Sequence, residues 1–158
     1  MNKAQKLLRL VEEQSGIRPA TVKDQRWIQA ADRKTYGNQD AWTYTPDQWK
    51  EAITSKEHPL QVHGKAYMQT THFPERGHYL TTLAGKKADA EHLLKNWIGK
   101  RKKGERLYTH ADPRWMNGKI VPFLQGHGFR VIGTGQPHKE TGTWAMDISK
   151  LHELELMK

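Results

Sequence analysis

The residues best suited to chemistry lie between Tyr79 and Lys103 and in the stretch just after it. His110 ends a short run, Arg106–His110, that reads as a strand, and Asp112 follows two residues later. An imidazole changes charge near neutral pH, so His110 suits a base that accepts a proton, and Asp112 has the reach to orient its ring. The Asp112-Pro113 pair is, however, explained in full as a helix start with Asp as N-cap. Tyr79 and Tyr108 add phenolic hydroxyls in neighbouring predicted strands. A second feature is the junction Leu83, Ala84, Gly85, Lys86, Lys87, Ala88, where a strand runs into a helix. The first N–H groups of a helix have no partner within it and, with the helix dipole, attract anions. A solvated helix end accounts for the same residues. Third comes the basic run Lys100, Arg101, Lys102 and Lys103, with Lys95, Arg106, Trp97 and Trp115 nearby. Such cations hold phosphates without reading sequence, and exposed rings stack bases. Trp97, however, falls on an apolar helical stripe, and the run also fits a helix end favoured by its dipole. None of the nine histidines has the spacing of a metal site, so no metal is predicted.

Composition narrows the partners. With 26 basic and 17 acidic residues the formal charge is +9, which draws the chain toward polyanions: nucleic acid, an acidic protein surface or a phosphate-bearing cofactor. The absence of cysteine excludes disulfides, thiolate nucleophiles and Cys-containing zinc sites. Glu12 and Glu13 interrupt the only candidate leader, and no run approaches the ~20 apolar residues of a membrane span, so a soluble protein is expected.

These residues need elements to position them. Asn2–Gln14 has helical spacing and is stopped by Ser15-Gly16. Ile17–Thr21 is extended, Thr21 to Asp24 has the form of a capping box, and Asp24, Trp27, Ile28, Ala31 and Thr35 follow a helical stripe. Tyr36–Tyr44 reads as a loop. Thr45-Pro46 opens a second helix, with Trp49, Ala52 and Ile53 on its apolar face. Leu60–Thr70 alternates as one half-buried strand, Pro74–Gly77 is a turn, and His78–Leu83 returns as the second strand of a hairpin. The helix after Gly85 carries Ala90, Leu93, Leu94, Trp97 and Ile98. The next helix holds Ile120, Phe123 and Leu124, with Gly126 or Gly128 to close it, and must kink or begin late because of Pro122. A strand from Phe129 turns through Gly135–His138 and returns as Thr143–Ile148. Leu151, Leu154 and Leu156 fit either a strand extension or a short helix. The order implies an α/β (α+β) fold: a mixed, mostly antiparallel sheet flanked by helices. Residues 1–16 form an N-terminal amphipathic helix and 17–158 a single domain.

Two stretches resemble the GNAT superfamily of acyl-CoA N-acyltransferases: the Ile17-Arg-Pro-Ala-Thr opening, and the strand, helix, Gly128-Phe129, hairpin succession over Arg106–Lys150. The resemblance spans about Ile17–Lys150 and implies that acetyl-CoA or another acyl-CoA is bound between the fourth and fifth strands. By that likeness the Leu83–Ala88 junction takes the pyrophosphate and Asn117 contacts the pantetheine arm; His110 is the candidate base by its own chemistry, and an acid would have to come from elsewhere, with Tyr79 and Tyr108 as the candidates. The chain departs from the family pattern at Thr82 and Lys87 of the pyrophosphate motif and at Leu124, where a tyrosine proton donor is usual. Similar degenerate domains occur in phage DNA-modifying proteins of the Mom family and in small GNAT-like virion proteins. The resemblance therefore implies either acyl transfer to an acidic or nucleic-acid acceptor, or a binding role without catalysis, in the cytoplasm of a bacterial host or in a virion. The acyl-transfer reading expects Leu83–Ala88 to emerge beside the strand ending at His110, with a slot between them that side chains do not plug.

Overall fold

The computed structural model describes residues 2–7, 16–36, 44–58, 60–134 and 151–158. Residues 3–7 are helical; the rest of the N-terminal helix expected over Asn2–Gln14 lies outside the described residues. Strand β1 (Arg18–Pro19) is followed by a 3-10 turn, Val22–Asp24, that leads into α1 (Gln25–Tyr36). The expected capping box is present, and Asp24 does more than cap. Its carboxylate accepts from the Thr21 N–H at 2.8 Å, the Trp27 Nε1–H at 3.0 Å and two Arg18 N–H groups at 2.7 and 2.8 Å. The Arg18 guanidinium is the main reason that this carboxyl stays well below the usual carboxylate range. Helix α2 (Pro46–Thr54) starts at Thr45, whose hydroxyl and the Gln48 side chain close a second box, with Pro46 at the first helical position.

The expected single strand over Leu60–Thr70 is instead a tight hairpin, β2 (Leu60–His63) and β3 (Ala66–Phe73) joined by Gly64-Lys65. Gly64 supplies the positive φ, +54°, that a two-residue hairpin loop needs. Because the loop has two residues, buried and half-exposed positions stay in phase across it, and alternation alone reads straight through. Tyr67 is fully buried, as is its neighbour Met68 of opposite parity, so β3 is covered on both faces and is more than the half-buried strand expected. Strand β4 (Gly77–Gly85) pairs antiparallel with β3, and helix α3 (Lys87–Gly99) packs back across β2, β3 and β4. The stripe Ala90, Leu93, Leu94 and Trp97 is buried as expected.

Strand β5 (Arg106–Ala111) lies parallel to β4. Helix α4 (Ile120–Gly126) begins late enough to leave Pro122 in its first turn, where the missing N–H costs no helical bond. It is closed by Gly128 at φ +100°, which settles the choice between Gly126 and Gly128. Strands β6 (Arg130–Thr134) and β7 (His152–Met157) complete a seven-stranded sheet in the order β1-β2-β3-β4-β5-β7-β6. The strand that pairs with β6 is thus His152–Met157, so Leu154 and Leu156 belong to a strand rather than a helix and Leu151 just precedes it; Thr143–Ile148, expected as the return strand, lies outside the described residues. Among the described residues no helix is long and apolar enough to cross a membrane.

Candidate active site

Strands β4 and β5 are bonded at only two positions, His78 with Leu107 and Tyr79 with Tyr108. Beyond these they part. A bulge contributes: the β3–β4 register shifts between Gln69 and Thr70, so that Thr81 has no opposite residue on β3. An extra residue bends its strand and leaves local backbone groups unpaired, which opens β4 away from a neighbour. The gap is lined by Leu80–Leu83 from β4 and Thr109–Ala111 from β5. The slot expected between Leu83–Ala88 and the end of β5 therefore exists as a backbone feature.

Its side chains fill it. Tyr36, at the end of α1, places its hydroxyl against Leu83, donating to the carbonyl oxygen at 2.9 Å and accepting from the N–H at 3.0 Å. Trp115 packs edge-on against the Tyr36 ring, centroids 4.8 Å apart, with its buried indole Nε1–H unpartnered. Thr109 bridges the strands by donating from its hydroxyl to the Leu80 carbonyl at 2.8 Å. The space that remains is about 20 Å³, room for one water.

The three candidate catalytic residues come together. The Tyr79 hydroxyl and His110 Nδ1 are 3.2 Å apart, and the Tyr79 and Tyr108 rings lie 4.9 Å centroid to centroid. All three side chains are buried, and His110 lines the gap. Asp112 has the local role: its carboxylate accepts from the Arg114 N–H at 2.9 Å and from the Arg114 guanidinium.

The candidate cofactor residues divide. Leu83 and Ala84 are buried in β4, while Lys86, Lys87 and Ala88 are exposed at the start of α3. Only Lys86 separates strand from helix, and its N–H bonds the Lys65 carbonyl at 3.1 Å. Gly85 has φ +118°, and a Cβ there would lie 2.2 Å from the Lys65 oxygen, so close packing on β3 demands glycine. Asp89 in the first turn of α3 accepts from the Lys65 N–H at 3.0 Å and already sets a carboxylate at the positive end of the dipole. Asn117 is exposed in a left-handed turn with Met116, both at φ 55°, a conformation that costs about 1–2 kcal/mol for a residue with a Cβ. Of the basic run, Lys100, Lys102 and Lys103 are exposed, whereas Arg101 turns inward and donates to His78 Nδ1 at 2.7 Å. Trp97 and Trp115 are buried and offer no stacking face. Among the described residues no group of His, Asp or Glu could hold a metal.

Sequence reasoning missed Tyr36, which it placed in a loop, and the residues behind it. The Tyr36 hydroxyl accepts from the Thr82 hydroxyl at 3.1 Å; Thr82 is 3.3 Å from the Tyr67 hydroxyl; Tyr67 bonds the Asp32 carboxyl. The signal was the spacing of Ile28, Asp32 and Tyr36 at i, i+4, i+8, one row of the α1 surface that continues the apolar stripe.

No family model and no curated protein sequence matches the chain. Solved structures do match over almost its whole length. An acetyltransferase of the GNAT family from Bacillus cereus is 12% identical, with a TM-score of 0.56 over 90% of this chain and 94% of that one. Ard1 from Thermoplasma volcanium is 10% identical, with a TM-score of 0.61 over 89% and 95% of the two chains. The GNAT-like decarboxylase GphF, in complex with isobutyryl-CoA, is 12% identical, with a TM-score of 0.58 over 89% and 98%. At such identities the likeness concerns architecture, and the parted β4 and β5 within a mixed seven-stranded sheet give this chain the GNAT fold.

Proposed function

We propose that this chain is an acyl-CoA-dependent N-acyltransferase whose slot is closed by its own side chains until substrate enters. One observation carries the reading: β4 and β5 separate just past Tyr79 and Tyr108, and His110 lines the gap together with Leu80–Leu83. An acyl-CoA would supply an activated thioester. The backbone of the slot suits the amide-bearing arm of that molecule, since Leu83 offers one N–H and one carbonyl. The space suits it only once Tyr36 and Trp115 withdraw. Lys86 and Lys87, at the uncapped start of α3, stand where its phosphates would be neutralised. When His110 Nδ1–H donates to the Tyr79 oxygen, Nε2 is the basic nitrogen and takes the proton that an acceptor amine loses.

The net charge of +9 and the exposed Lys100, Lys102 and Lys103 support an acidic or nucleic-acid acceptor. A second reading, a GNAT-fold binding or virion protein without catalysis, is favoured by the Tyr36 hydroxyl, which already satisfies both backbone groups of Leu83.

Calorimetric titration with acetyl-CoA separates the two. Micromolar binding, with thiol release in the presence of a primary amine that falls roughly a hundredfold in His110→Ala, supports transfer. Absence of heat at millimolar acetyl-CoA removes it and leaves the binding module. Retention on duplex DNA that weakens with salt, and weakens further when Lys100, Lys102 and Lys103 are replaced by Ala, would support the polyanionic acceptor.

A further inference from the structure

The hydroxyl chain behind the slot has a proton count. Four contacts link five groups: Asp32 to Tyr67, Tyr67 to Thr82, Thr82 to Tyr36, and Tyr36 to the Leu83 carbonyl. Each contact needs one hydrogen. The three hydroxyls carry three between them, and the Leu83 carbonyl has none. The fourth can come only from Asp32. When Asp32 is a neutral acid, every contact has its hydrogen and the Tyr36 O–H points at the Leu83 carbonyl. When Asp32 is ionised, one contact is left with lone pairs facing each other, and that gap can move along the chain by rotation of the hydroxyls. Placed at its end, it turns the Tyr36 hydrogen toward Thr82 and frees the Leu83 carbonyl.

We propose that Asp32 is a positioning residue for the acyl-CoA slot: as a neutral acid it holds the Tyr36 hydroxyl on the Leu83 carbonyl, and as a carboxylate it releases that carbonyl to an incoming amide. The inference rests on the acyl-CoA reading of the slot. A hydroxyl that both donates and accepts presents to Leu83 the same pair of bonds that an amide presents, so Tyr36 and the arm of an acyl-CoA compete for one place. Burial favours the neutral acid at Asp32 and the un-ionised phenols of Tyr36 and Tyr67. Among the described residues the titratable groups that face Asp32 are Tyr67 from β3, Tyr36 on its own helix, and Tyr44 ahead of α2, with no cation among them. The sign follows. A raised carboxyl pKa keeps the latch set at low pH and loosens it as pH rises through that value.

The test measures acetyl-CoA affinity against pH for the wild type, Asp32→Asn and Tyr36→Phe, together with infrared difference spectra of the carboxyl C=O stretch. Asn fills the place of the neutral acid without titrating. The wild type should bind about tenfold more tightly as its protonated-carboxyl band disappears, the worth of one hydrogen bond. Asp32→Asn should lack that band and follow a profile without that rise, and Tyr36→Phe should bind tightly throughout. Binding by Tyr36→Phe alone would also support the latch. One pH profile shared by the wild type and Asp32→Asn, or a wild type with no protonated-carboxyl band at any pH where it is folded, overturns the role of Asp32 and leaves the acyl-CoA reading standing. Failure of all three proteins to bind acetyl-CoA overturns both.

Discussion

The two ends of the β4–β5 pair are closed by different means. At the first end the strands exchange backbone bonds, and charged groups clamp the surroundings. His78 bonds Glu105 at 2.6 Å and Arg101 at 2.7 Å, while Arg106 reaches Glu155 at 2.9 Å and Glu153 at 3.3 Å. At the second end no backbone bond crosses, and three side chains, Tyr36, Thr109 and Trp115, occupy the gap. A closure made of backbone cannot be exchanged for a ligand without unravelling the sheet. A closure made of side chains needs only new rotamers. The difference marks which end of the same two strands can open.

The hardest blow to that contrast should come from Gly85→Val. It forces a side chain into the Lys65 carbonyl and a β-branched residue to φ +118°, so it should cost about 3 kcal/mol or more, read as a lowered denaturant midpoint. Both ends would then loosen together, because β3 is what holds β4 in place. Trp115→Phe tests the open end alone: the orphaned indole N–H disappears and the ring shrinks, so stability should fall by no more than about 1–2 kcal/mol, while acetyl-CoA, if it binds, binds faster. Thr109→Val removes the bridge from the Thr109 hydroxyl to β4 and leaves the Leu80 carbonyl short of a donor. A loss of about 1 kcal/mol in chemical denaturation is expected.

The smallest effect belongs to the clamped end. Glu155 is held below the usual carboxylate range by Arg106 first and Arg130 second. A depressed folded-state pKa gives stability that is present above the unfolded value, about 4.3, and is lost as pH falls through the folded one. Glu155→Gln should therefore cost less than about 1 kcal/mol at neutral pH, and the variant should lose less stability than the wild type on acidification, read from thermal midpoints.

Much of the scaffold was legible because short-range rules govern it. Thr21 with Asp24, Thr45 with Pro46, the Ala90–Trp97 stripe and Gly128 each announce a helix end or a buried face within a few residues. The Gly64-Lys65 loop escaped because a two-residue turn keeps the period of two intact, so no break in pattern marks it. The catalytic candidates were legible as types, and the sheet brings His110 and Tyr79 together through the β4–β5 pairing. What fills the slot was not. Tyr36 acts on Leu83 across 47 positions of sequence, and nothing local to either residue signals that contact. The polar spacing of Asp32 on α1 reads as surface until Tyr67 is known to face it.

The placement of β7 has a consequence for how the protein assembles. It sits between β5 and β6, both of which precede it in sequence. Until residues 152–157 arrive, β5 has an open margin along the whole wall that carries His110, and β6 has no neighbour to lie against. Partners so distant along the chain come together late, since closing the intervening loop costs entropy before any bond repays it. Chains still being made, or cut short before His152, would present that margin to one another, and aggregation during synthesis is the failure to watch for in expression.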